Sequence, residues 1–188
     1  ADMNLTEREG AGVHLANIIM PVAIGLADGS LTAEEGAKSL GNGMPLAEVL
    51  GLKTSFREMT GKVSQANIKT GEKLSHLVRF IGLLGKESSL LLDANPETSF
   101  LSQTNVQNLP DLLLSFHGLH TTLQESIASS GIDSAELKTL IYELGGLSQS
   151  IERTRSSVVR AQASSNNVST YDTALELVEG ISDDVKLT

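Results

Sequence analysis

His117 and His120 stand three residues apart. On a helix they share one face, a spacing that two metal ligands can use. The other parts of a metal site are missing. The chain has no Cys, which removes thiolate zinc sites, cysteine nucleophiles and disulfides together. A carboxylate-bridged di-metal bundle needs Glu-x-x-His on two helices, and the motif occurs nowhere; His-Glu-x-x-His is absent too. Next to Phe116 and Leu119, the two histidines are expected to flank a helix seam. No metal and no cofactor is predicted.

Other chemistries fail on equally concrete grounds. No Gly-x-Ser-x-Gly elbow positions a serine nucleophile. A histidine on a helical bundle could carry a phosphoryl group, but Leu123 and Gln124 stand where such a helix needs a Lys and a Gly. Gly61-Lys62 and Gly85-Lys86 lack the upstream Gly and the following Ser or Thr of a phosphate loop. Asp28-Gly29 has Leu26 and Ala27 where a calcium loop needs oxygen ligands, so a turn explains it better. The expectation is a protein that is not an enzyme.

Charge gives the remaining lead. Lys and Arg number 14 against 23 Asp and Glu, a net charge of −9. That balance argues against broad nucleic-acid binding, which needs phosphate neutralisation. Residues 61–93 reverse the trend, with Lys62, Lys69, Lys73, Arg79 and Lys86 against Glu72, Glu87 and Asp93. Read as one helix, Lys62, Lys69, Lys73 and His76 line a single face. Arg153 and Arg160, seven apart beside Ser156 and Ser157, form a shorter stripe. These six are the candidate partner-binding residues, for an acidic partner or an anionic headgroup. The competing reading is a solvated face paired with acidic neighbours.

Helices must position these groups. Apolar residues recur at Leu77, Ile81, Leu84 and Leu91. They recur again at Val106, Leu109, Leu113, Phe116, His120, Leu123 and Ile127, and at Leu137, Leu140, Leu144, Leu147, Ile151, Thr154 and Val158. The spacing is heptad-like and nowhere alternates. Thr6 with Glu9, Thr32 with Glu35 and Asp133 with Glu136 have capping-box spacing. The predicted fold is all-α, an antiparallel helical bundle. Its three long helices cover about 64–93, 105–129 and 134–164. A kinked helix at 6–27 and short helices at 33–40 and 45–60 precede them, and a last helix covers 170–184. Residues 94–104, 129–132 and 164–169 read as polar breaks. Glycines 82, 85, 118, 145 and 146 fall inside the long helices and suggest close crossings or a hinge. One domain over 1–188 is favoured over a separate small unit at 1–60.

No run reaches 18 apolar residues, so no transmembrane helix is predicted. The sequence opens on Ala1 and reads as a fragment or a processed form. The function expected is a non-enzymatic helical bundle that binds protein partners, copies of itself included, with export favoured over a cytoplasmic location. The alternative is a membrane-interacting bundle that releases its apolar segments 13–27 and 77–92. With aromatic residues at 3 %, any partner surface should be aliphatic or charged, and Phe116 is expected in the core.

Overall fold

The computed structural model describes residues 4–91, 95–128, 132–165 and 169–186, without the side chains of 96, 169, 170 and 184–186. Among the described residues all regular elements are helical: α1 (Leu5–Ala27), α2 (Ala33–Leu40), α3 (Met44–Val49), α4 (Lys53–Ser64), α5 (Thr70–Glu87), α6 (Pro96–Gln103), α7 (Leu109–Ala128), α8 (Ser134–Ser164) and α9 (Ser169–Lys186). A 3₁₀ turn (Gly41–Gly43) precedes α3, and a π-helical segment (Thr104–Asn108) joins α6 to α7. The all-α bundle is as predicted, and the spans of α2 and α8 match the sequence reading.

The differences have local causes. The helix expected at 64–93 is α5 alone. It starts at Thr70 because Gln65 is extended (φ −72°, ψ 120°) and the backbone turns through Ile68 before Lys69. It stops at Glu87, where the buried Ser88 hydroxyl donates to the Leu84 carbonyl at 2.6 Å. Ser89 follows with φ +64°, and Arg8 Nη2 donates to the Glu87 carbonyl at 2.7 Å. The helix expected at 45–60 breaks at Gly51 (φ +77°), which divides α3 from α4. The break expected at 94–104 contains α6, capped by the Asn95 side chain on Glu97 N. Asn4, not Thr6, caps α1 and closes its box with Glu7; the Thr32–Glu35 and Asp133–Glu136 boxes form. The predicted turn at 129–132 lies largely outside the described residues.

Burial divides the core in two. The larger part gathers Leu15, Ile19, Leu40, Phe56, Val63, Leu74, Leu77, Ile81 and Leu84 from α1 to α5, with Val106 of the π segment against it. Phe56 and Phe80 meet edge-on, with ring centroids 5.3 Å apart. A built Cβ on Gly85 would lie 2.7 Å from Val106 Cγ2, so this crossing requires glycine. A Cβ on Gly118 would stand 3.0 Å from the Glu143 carboxylate, the movable end of a side chain, and Gly82, Gly145 and Gly146 face open space. The second part lies among α7, α8 and α9, around Leu119, Leu140, Leu147, Ile151 and Val178. Val158, Ala161 and Tyr171 extend it towards Phe100 and Leu101 of α6. The Tyr171 hydroxyl donates to Glu97 Oε1 at 2.6 Å and ties α9 to α6.

Helices α7 and α8 run antiparallel. Asn108 Nδ2 donates to Ser157 Oγ at 2.7 Å. Seven residues on along α7, Ser115 meets Ser150, seven residues back along α8, at 3.2 Å.

Candidate functional site

Helix α7 packs in two directions, and this decides which of its residues stay in water. Towards α8 it presents Ser115 and Leu119. Towards α1 and α5 it presents Leu113 and Leu114, which pack on the N-terminal core. The seam expected along Leu113, Phe116, His120, Leu123 and Ile127 is therefore not the α8 contact. It begins against the N-terminal helices and then runs past them. Phe116 is 48 % exposed, Leu123 40 % and Ile127 78 %. The prediction that Phe116 is core was wrong, because a single-partner heptad was assumed where the apolar residues are shared between two packing directions.

Across from this stripe, at the end of α1, Ile24 is 48 % exposed. Ile24, Ala27, Asp28, Leu113, Phe116, His117 and His120 enclose a cleft of about 400 Å³. His117 forms its inner wall, 3.6 Å from where a Cβ on Gly71 of α5 would stand. Its Nε2 lies 3.5 Å from Thr121 Oγ1, and the Ala27 carbonyl faces the ring. Burial lowers the His117 pKa below its ordinary 6.5, and His120 lowers it further; the Ala27 carbonyl opposes them. At the mouth, hydrogen bonds from Ser30 hold the Asp28 carboxyl below the usual range. The pair therefore does flank a helix contact, although that contact is with α1 and α5. Among the described residues, no three His, Asp or Glu side chains gather in metal-ligating geometry.

The basic residues are redistributed. Lys62, Lys69, Lys73 and His76 do not form one stripe, because the helix breaks between Ser64 and Thr70. Lys62 is exposed on α4, Lys69 occupies the N-cap position of α5, and Lys73 is only 6 % exposed. Lys62 and His76 nevertheless meet again across α4 and α5, with Arg79 and Glu58, around a cleft of about 320 Å³. Arg153 and Arg160 do share a face of α8, and both line a third cleft between that helix and the α6–α7 junction.

No known protein family matches this chain, and no curated protein or solved structure does either. Geometry alone therefore carries the functional argument.

The apolar stripe on α7 was hidden in the sequence. Its spacing is that of a core seam, and only the placement of α1 and α5 separates the half-buried Leu113 end from the exposed Ile127 end. Helix α1 was predicted, at about 6–27, but not its capacity to span a membrane. Its 23 residues reach a mean hydropathy of 1.6 over an 18-residue window, long and apolar enough to cross a membrane by length and composition. Counting unbroken apolar runs overlooked it, because His14, Asn17 and Pro21 interrupt the run. In this fold 44 % of that window is buried, with Leu15, Ile19 and Ala23 fully so.

Proposed function

We propose that the chain is a non-enzymatic helical bundle that works through protein–protein contact, and that its first partner is a second copy of itself. The observation that carries this reading is the exposed stripe Phe116, Leu123 and Ile127 with His120 between them. Contiguous apolar surface of this kind marks interaction sites. Its 4-3-4 spacing is that of a coiled-coil seam, which is filled by another helix with the same spacing. A second copy supplies one. Trp is absent, so the anchors are aliphatic with Phe116 as the ring. A Cys-free, Trp-free and Ser-rich composition favours an exported or structural component.

Light scattering over a concentration series tests the reading. The protein should shift from monomer to dimer as concentration rises. Leu123→Asp with Ile127→Asp should stay monomeric with an unchanged circular dichroism spectrum, because both positions are exposed. A wild-type protein that stays monomeric throughout contradicts it.

The second reading is a membrane-active bundle, favoured by the length and hydropathy of α1. It requires α1 to leave the core it helps to build. Flotation with neutral and anionic vesicles distinguishes the two: binding by a monomer supports it, and no binding removes it.

A further inference from the structure

The cleft holding Arg153 and Arg160 differs in character from the other two. Its floor is polar and buried: Asn108 and Ser157 are each 7 % exposed and are hydrogen-bonded to one another at 2.7 Å. Gln103 and Asn108 bracket the π-helical segment Thr104–Asn108, and both line the cleft. A π segment widens the helix by one residue per turn and recurs at functional sites. Here it leads the chain from α6 into α7 along one side of the cleft.

The guanidinium N–H groups of the two cations make no close ion pair among the described residues. Arg155, between them in sequence, is taken: it pairs with Glu152 at 3.6 Å and with Glu179 of α9 at 3.5 Å. Neither Arg153 nor Arg160 has an ion pair among the described residues. Arg160 lies over the Phe100 ring, 5.8 Å from its centroid. Stacking occupies one face of the guanidinium and leaves its N–H edge for a planar or tetrahedral acceptor. Seven helical residues place the two arginines roughly 10 Å apart along α8. Both side chains are long enough to converge on a group seated between them, over Ser156. Two carboxylates bear on the site. Glu152 lines it but is engaged by Arg155, and Asp111 faces Arg153 from α7. Burial raises the Asp111 pKa and Arg153 lowers it, so the Asp111 carboxyl already balances part of the Arg153 charge.

From this arrangement we infer that the cleft binds a tetrahedral oxyanion of the phosphate-ester class. Two guanidinium forks supply charge-assisted donors, and the hydroxyls and amides supply neutral ones. At about 380 Å³ the cleft is larger than a lone phosphate, so the anion is expected to be carried on a larger group. The site lies on α8, away from the α7 stripe, and does not depend on self-association.

Amide NMR titration with inorganic phosphate, against sodium chloride at matched ionic strength, tests the inference. Saturable shifts should be confined to 103–108 and 153–160. They should vanish in Arg153→Gln with Arg160→Gln, whose circular dichroism spectrum should match wild type. Arg160→Lys keeps the charge but loses the fork, and should weaken binding about tenfold. Sedimentation with phosphatidic acid vesicles separates the sources. Arginine-dependent binding to vesicles, displaced by phosphate, assigns a lipid headgroup; response to phosphate without vesicle binding assigns a soluble ester. No response in either arm, equal shifts with chloride, or shifts that survive the double glutamine variant overturns the inference.

Discussion

His117 sits where α7 meets the end of α1 and the start of α5, and burial there disfavours its charged form. Its folded pKa lies below 6.5 because burial, and then His120, disfavour the charged form. A group with a depressed histidine pKa contributes stability that is present above the unfolded value and is lost as pH falls through the folded one. The groups facing it are the Ala27 carbonyl, which works in the opposite direction, His120, which reinforces the shift, and Asp28 at the cleft mouth. Unfolding midpoints in urea should therefore decline between about pH 7.5 and about pH 5, before most carboxylates titrate. His117→Gln should flatten that decline without abolishing folding. An equal slope in both proteins contradicts the assignment. At this scale the sequence was only partly legible. It identified the histidine pair and its helical face, but not the three-helix junction that desolvates one of them. It also placed Lys73 on a solvent stripe, whereas the fold turns that residue inward.

At the scale of elements, two of the three capping-box spacings mark real helix starts, whereas Asn4 displaces Thr6 as the cap of α1. The Thr32 and Asp133 caps start α2 and α8 where the capping-box spacing placed them. Ends without such a signal drifted: α5 is terminated by Ser88 and by Arg8 reaching from α1, a contact between residues 79 apart. The mid-helix glycines separate along the same line, because a close crossing depends on a partner. Gly85→Ala, pressed against Val106, should destabilise the fold by about 1–3 kcal/mol through overpacking. Gly145→Ala and Gly146→Ala face open space on α8 and should each stabilise by about 0.5–1 kcal/mol. Thermal melts of the three variants check the difference in sign. A neutral Gly85→Ala would mean that α5 and the π segment do not approach as described.

For the whole molecule, the heptad spacing predicted an antiparallel helical bundle, and it has one. It did not reveal that α7 serves two cores. That division leaves an aliphatic stripe in water past the reach of α1 and α5, and the account of function rests on it. Because the chain has no cysteine, one introduced thiol reports the surface directly. Leu123→Cys, treated with a short bis-maleimide at a concentration where light scattering finds dimer, should give a covalent dimer in high yield. Ser148→Cys, on an exposed part of α8, should not. Equal cross-linking at both positions, or none at position 123, would contradict self-association through α7.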